Sequence, residues 1–274
     1  MDDVATSPAP TAPADARWAR ALVTGASSGI GEAIARQLGA AGTALVLVAR
    51  SKDRLDALAE EIRERSGVEV EVLPADLADH AALGVVEARV ADDNRPIDLL
   101  VNNAGYGFNG EFGERPVADE EDEILVNVLA LMRLTHAAVR RMTAAGTGGV
   151  LNVASTAAFQ PAAGSANYSA TKAYVLSFSQ SVHEEVRSKG VAVTTLCPGL
   201  TRTEFQDRGG YDVNAPGFTW QTADEVARAG LDAVARGKAV EVTGWHNKVI
   251  ATSVRKLPMG AVRFLSTQVT ERFS

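Results

Sequence analysis

The sequence is short of the residues that cross-link or chelate. It has one cysteine, Cys197, and four histidines, His80, His136, His183 and His246, in 274 residues. A single thiol excludes an internal disulfide and fits a reducing compartment. The histidines pair with no other ligand at metal spacing, so no metal site is expected. No uninterrupted apolar run reaches the roughly 18 residues that a membrane span needs. Excess positive charge is also missing: the net charge is -7, which argues against nucleic acid as a partner. No internal repeat is apparent. Residues 1–16 are rich in Ala, Pro, Thr and Asp with no apolar core segment, the pattern of a disordered tail rather than a signal peptide.

What is present is regular. Short apolar runs, at Ala21–Thr24, Ala44–Ala49, Val68–Pro74, Leu99–Asn102, Gly149–Ala154, Val191–Cys197 and Ala239–Thr243, read as strands. Between them fall helix-like stretches: Glu32–Leu38, Ser51–Ser66, Ala78–Asn94, Asp119–Ala145, Ser165–Lys189 and Ala223–Arg236. Apolar strands alternating with amphipathic helices predict an α/β fold, a parallel sheet of about seven strands with helices on both faces. Apolar residues make up 46% of the chain, ample for such a core.

Two segments carry chemistry. Thr24-Gly25-Ala26-Ser27-Ser28-Gly29-Ile30-Gly31 lies between a predicted strand and a predicted helix. Glycines there permit a tight turn and close backbone approach to a pyrophosphate, with a helix N-terminus aimed at the anion. The second is Tyr168-Ser169-Ala170-Thr171-Lys172, with Ser155 upstream at the end of a strand. On a helix, Tyr168 and Lys172 share a face. A cation close to a phenol eases its ionisation, so Tyr168 could exchange a proton with an alkoxide or an alcohol. Ser155 could hydrogen-bond the same oxygen. A dinucleotide loop followed by a tyrosine acid/base implies hydride chemistry on a carbonyl or alcohol.

These motifs resemble those of the short-chain dehydrogenase/reductase family in its compact single-domain branch, over roughly residues 18–240. Thr24–Gly31 resembles the family's cofactor loop, and Asn102-Asn103-Ala104-Gly105 its motif after the fourth strand. Asn127, Ser155, Tyr168 and Lys172 fall where the family has its catalytic tetrad. Pro198, Gly199 and Thr203 resemble its nicotinamide-side turn. The resemblance implies a Rossmann-like, doubly wound three-layer fold. It implies that Asn127 holds a water in a proton relay with Lys172, and that Lys172 also binds the nicotinamide ribose. It implies that Asp76, followed by Leu77, hydrogen-bonds the adenine. The expected cofactor set is then Gly25, Ser27, Ser28, Gly29, Ile30, Gly31, Arg50, Ser51, Asp76, Leu77, Asn103, Ala104, Gly105, Tyr168, Lys172, Pro198, Gly199 and Thr203.

Cofactor choice is readable at the end of the second strand. An NAD site places an acid there to hold the ribose hydroxyls. Here Leu45–Ala49 runs into Arg50-Ser51, and no carboxylate comes before Asp53. A guanidinium suits a 2′-phosphate, with Ser51 and Arg54 beside it, so NADP(H) is favoured over NAD(H).

The substrate side is an aromatic rim, with Tyr106, Phe108, Phe159, Phe205, Tyr211, Phe218 and Trp220 beside Ala157 and Leu200, and it suggests a largely apolar carbonyl or alcohol. The long stretch from Leu200 to Trp220 resembles a substrate lid. Residues 17–244 are expected to form the catalytic domain. Residues 245–274 form a basic amphipathic extension, with Lys248, Arg255, Lys256, Arg263 and Arg272 against Glu271. It could close the cleft, pack on a partner subunit or lie on an anionic membrane surface. The functional expectation is a cytoplasmic NADP-dependent oxidoreductase. A non-catalytic dinucleotide-binding sensor or scaffold on the same fold is the alternative. The family resemblance adds a homodimer or homotetramer.

Overall fold

The computed structural model describes residues 17–211 and 216–254, together with 257 and 260. The expected N-terminal tail, and most of the basic amphipathic extension beyond residue 254, lie outside these residues.

The chain winds through β1 (Arg20–Thr24), α1 (Gly29–Ala40), β2 (Ala44–Ala49), α2 (Lys52–Ser66), β3 (Val70–Pro74), α3 (His80–Val90) and β4 (Leu99–Asn102). It continues through α4 (Val117–Ile124), a π-helical stretch (Leu125–Ala130), α5 (Leu131–Ala145), β5 (Gly148–Val153), α6 (Ala166–Val186) and β6 (Val191–Cys197). Beyond these lie β7 (Thr201–Arg202), α7 (Phe205–Gly209), β8 (Gln221–Thr222), α8 (Ala223–Ala235), β9 (Val240–Val242) and α9 (Trp245–Val254). Seven strands form one sheet in the order β3-β2-β1-β4-β5-β6-β9, and all its pairings are parallel.

Strands buried on both faces explain the near-continuous apolar runs. Side chains alternate between the faces: Ala21 and Val23 join one apolar cluster with Ile34, Leu55 and Val226. Leu22 joins the other, with Leu83, Leu134 and Val150. Helices α1, α2 and α8 therefore cover one face, and α3, α5 and the end of α6 the other. The strand order reverses between β1 and β4, and the crevice beyond their C-terminal ends is where such folds bind ligands.

Two details depart from the sequence reading. The single helix expected over Asp119–Ala145 starts at Val117, directly after Pro116, and is interrupted by the π-helical stretch at Leu125–Ala130. The Leu200–Trp220 lid is clipped at its base, because β7 pairs with β8 in a separate two-stranded ladder. Helix α8 opens on a capping box, Thr222 accepting from the Glu225 N–H at 3.2 Å and Glu225 accepting from the Thr222 N–H at 2.9 Å.

Candidate active site

The glycine loop is held from below. Thr24 ends β1, and its buried hydroxyl accepts from the Asn103 and Ala104 N–H groups, both at 3.0 Å, while donating to the Val101 carbonyl at 3.3 Å. The Asn103 amide donates to the carbonyls of Thr24 at 3.0 Å and Gly25 at 3.2 Å. The first turn of α1 packs so tightly under the loop that a Cβ on Gly31 would lie 2.3 Å from the Gly25 carbonyl oxygen. Beside this brace runs a buried amide chain. Asn102 donates to Asn152 at 2.9 Å and to Thr135 at 3.0 Å, and Asn152 donates to Ser179 at 2.9 Å. It ties β4 and β5 to α5 and α6.

These elements wall a cleft of about 780 Å³. Gly25, Ser27, Ser28, Gly29 and Ile30 line it at one end, followed by Arg50, Ser51, Asp76 and Leu77. Asn103, Ala104 and Gly105 form its floor, and Ser155, Tyr168, Lys172, Pro198, Gly199 and Thr203 the other end. Two of the expected residues are not on its surface. Gly31 lies beneath the loop, and Asn127 sits behind the wall in the π-helical stretch, 1% exposed. The Asn127 side chain accepts from the Tyr106 N–H at 3.1 Å and donates to the Tyr106 carbonyl at 2.7 Å and the Thr171 hydroxyl at 3.1 Å. It locks the 106 loop to α6.

At the reacting end, the Lys172 ammonium donates to the Val153 carbonyl at 3.0 Å and stands 5.7 Å from the centre of the Tyr168 ring. Burial pushes the Lys172 ammonium down to about 8, partly offset by the charges of Glu123 and Cys197. Tyr168 is partly exposed along the cleft, yet its phenol is enclosed. Enclosure pushes that phenol well above its ordinary value, and the Ser155 hydrogen bond only partly offsets this. The expectation that Lys172 lowers the Tyr168 phenol is therefore not met: burial dominates, the only lowering influence is the Ser155 hydrogen bond, and the nearby charges of Tyr211 and Glu123 raise it further. The result is a phenol that keeps its proton at neutral pH.

Arg50 is exposed at the end of β2 and lines the cleft, with no carboxylate at that strand end. Arg54, expected beside it, instead pairs with Glu204 at 2.9 Å. Glu204 starts α7, so this ion pair spans from α2 to the lid.

The described part of the lid packs on the reacting end. The Phe205 ring centre lies 5.4 Å from that of Tyr168 and 5.6 Å from that of Tyr211. The Tyr211 hydroxyl donates to the Phe108 carbonyl at 3.0 Å and lies 3.2 Å from the Ser165 hydroxyl. Burial pushes the phenols of Tyr106 and Tyr211 up to about 12. Of the expected rim, Tyr106, Phe108, Ala157, Leu200, Phe205 and Tyr211 line the cleft. Phe159 packs instead against the cluster of Leu131, Val175 and Leu176, and Trp220 stacks under the Arg202 guanidinium at 5.5 Å. The Phe218 side chain lies outside the described structure.

Helix α9 begins immediately beyond Gly244. Its Asn247 amide donates to the Thr243 carbonyl at 2.8 Å and lies where a Cβ on Gly199 would be, 2.1 Å away. Lys248 pairs with Glu241 at 2.9 Å. The extension thus starts against the Pro198–Gly199 turn rather than apart from it.

One buried acid near the site escaped the sequence reading. Glu123 is 1% exposed, has an Oε1 without a hydrogen-bond partner, and is pushed up to about 7 by burial and by Glu120. It belongs to the acidic run Asp119–Glu123, which looks like a solvated helix face. The available signal was its register: it stands one helical turn before Asn127.

The chain belongs to the short-chain dehydrogenase family, whose sequence profile matches residues 19–212. It is similar to a very-long-chain 3-oxoacyl-CoA reductase from Anas platyrhynchos, 30% identical over 263 residues, covering 92% of this chain and 81% of that protein. Its fold matches a short-chain dehydrogenase from Sphingobium yanoikuyae solved in complex with NADPH. The TM-score is 0.80 at 40% identity, covering 90% of this chain and 94% of that one. It also matches a bulky-bulky ketone specific alcohol dehydrogenase from Comamonas testosteroni, with a TM-score of 0.76 at 33% identity, covering 86% and 92% of the two chains. Among the described residues, no helix is long and apolar enough to cross a membrane.

Proposed function

We propose that this protein is an NADP-dependent oxidoreductase that interconverts a carbonyl and an alcohol, with Tyr168 as the general acid/base. The observation that supports it most directly is convergence: the glycine loop, Arg50 and the Ser155–Tyr168–Lys172 group all face one cleft. The donor set suits a dinucleotide phosphate. Backbone N–H groups at the start of α1 and the Arg50 guanidinium face the same groove, and the tight fit beneath Gly31 lets a pyrophosphate approach the main chain. Bound NADPH would supply the hydride.

The rest is work for the protein's own side chains. The protonated Tyr168 phenol donates to the oxygen that becomes the alcohol. Ser155 holds that oxygen by a hydrogen bond while charge develops on it. The Lys172 ammonium, 5.7 Å from the centre of the Tyr168 ring, stands where it would stabilise the phenolate that the transfer leaves, and it would hold the ribose side of the cofactor. The Asn127 amide is engaged by Tyr106 and Thr171 and holds the 106 loop against α6 beside Lys172; the relay water that the family resemblance implies would sit near it. The rim of Phe108, Leu200, Phe205 and Tyr211 suits a bulky, largely apolar substrate, in line with the ketone specificity in the name of the Comamonas relative. Exposed Phe112, Val117 and Ile124 on and beside α4 favour a homodimer or homotetramer. Light scattering that finds only the 28.7 kDa species would refute the oligomer.

The test is Tyr168→Phe in single-turnover reduction of a panel of bulky ketones, alongside NADPH titration by fluorescence. Turnover should vanish while the cofactor Kd changes by less than about twofold, because the phenol gives no charge-assisted contact to the phosphates. Retention of more than a few per cent of kcat would refute the acid/base assignment. A wild-type protein that binds NADPH but reduces nothing would point to a sensor or scaffold.

A further inference from the structure

Glu123 is unused by this mechanism, and its placement is costly. An ionisable carboxyl is almost never fully buried without a partner. Here it is 1% exposed, and no hydrogen bond reaches its Oε1. Glu123 lies one turn before Asn127 on the continuous α4 and π-helical segment, so the two share a side. Asn127 bonds to Thr171, the neighbour of Lys172 on α6. A Cβ on Gly105 would meet Asn127 Oδ1 at 2.8 Å and Lys172 Nζ at 3.1 Å, which places the asparagine and the ammonium beside the same glycine. The carboxyl is thus sealed behind the cleft wall on the Lys172 side.

We propose that Glu123 is a positioning residue for the reaction, the buried counter-charge that keeps Lys172 an ammonium beside Tyr168. This rests on the reading of Tyr168 and Lys172 as the acid/base pair. Electrostatic coupling in the site agrees with it. Glu123 is the largest influence raising the Lys172 ammonium, against the burial that pushes it down to about 8. Lys172 and Arg115 in turn favour the Glu123 carboxylate, against the burial and the Glu120 charge that push it up to about 7. The carboxylate and the ammonium therefore favour each other's charged form across the site. The other ionisable groups that feel Glu123 are the phenols of Tyr106, Tyr168 and Tyr211, all pushed further up by its charge. Cys197 faces Lys172 from β6. Without the carboxylate, Lys172 would lose its proton at lower pH, and Tyr168 would lose its cation within the neutral range.

The experiment titrates Lys172 directly, in protein free of nucleotide. The Lys172 ¹³Cε resonance, assigned by its absence in K172M, is followed against pH in wild type, E123Q and E123D. The midpoint should fall by about one unit in E123Q, as loss of a nearby opposite charge in a buried site produces, and recover in part in E123D. The alkaline limb of the reductase pH profile should move down by the same amount. If E123Q does not fold, E123M, of similar length and apolar, replaces it in the same titration. An unchanged midpoint overturns the proposal and leaves the functional reading standing. A shifted midpoint in a protein that reduces no carbonyl sustains the pairing and refutes the functional reading instead.

Discussion

The cofactor loop and the floor of the cleft depend on one hydroxyl, and Thr24→Val isolates it. Valine has nearly the shape of threonine, so packing at this buried position, 1% exposed, is preserved. What is lost is the acceptor for two N–H groups, those of Asn103 and Ala104, each at 3.0 Å. Leaving a buried donor unsatisfied costs about 1–3 kcal/mol. Both residues are only partly buried, so some solvent compensation applies, and the sum should fall near 2–4 kcal/mol. The bond to Val101, at 3.3 Å, adds little. Measured against a domain stability of about 5–15 kcal/mol, the loss is large. Urea unfolding followed by circular dichroism, compared at equal slope, reads it out. Thr24→Ser keeps the hydroxyl and should stay within about 1 kcal/mol of wild type. If Thr24→Val unfolds within about 0.5 kcal/mol of wild type, the hydroxyl is not the brace described here.

Three further outcomes are expected. Arg50→Asp should reverse or erase a preference for NADPH over NADH, since a charge-assisted phosphate contact contributes roughly 1.5–3 kcal/mol, or one to two decades in kcat/KM; equal use of both cofactors by wild type would disprove the reading of Arg50. Gly31→Ala should abolish nucleotide binding in a fluorescence titration, because its Cβ would stand 2.3 Å from the Gly25 carbonyl oxygen and force the loop open; near-normal affinity would contradict it. The third concerns stability against pH. Between the ordinary Glu123 value of 4.5 and its folded value of about 7, the folded chain holds a proton that the unfolded chain has released. Stability should therefore fall as pH rises through that window, by up to about 3 kcal/mol, and Glu123→Gln should remove that part of the slope.

How much of this could be read in the sequence varied with the range of the interaction. The glycine loop and the Tyr168–Lys172 pair were legible because each is a contiguous motif whose geometry follows from one turn or one helix. The seven strands were legible because burial on both faces demands unbroken apolar runs such as Ala44–Ala49. The π-helical stretch was not, since Leu-Val-Asn-Val-Leu-Ala has the composition of an ordinary buried helix. The β7–β8 ladder was invisible because two-residue strands carry no periodicity. The Arg54–Glu204 pair was not legible because Glu204 lies 150 positions away and only the fold brings them together. Glu123 was hidden in a run of five acids, where burial of two, Glu120 and Glu123, is decided by packing against α6 rather than by local pattern.

The seat of Asn247 bears on how this protein can be cut, tagged or recombined. A boundary drawn at Gly244 follows the last strand and looks natural, yet it would remove a side chain that fills the space beside Gly199 and ties the end of β9 to the first turn of α9. Chimeras that exchange C-terminal segments at that point would be grafting part of the wall behind the reacting end of the cleft along with the tail. A junction placed after Val254 keeps Asn247 and the Lys248–Glu241 pair with the body that they brace. Substrate profiles of chimeras made at the two junctions would then report different things: the later one the influence of the tail, the earlier one a disturbed active site.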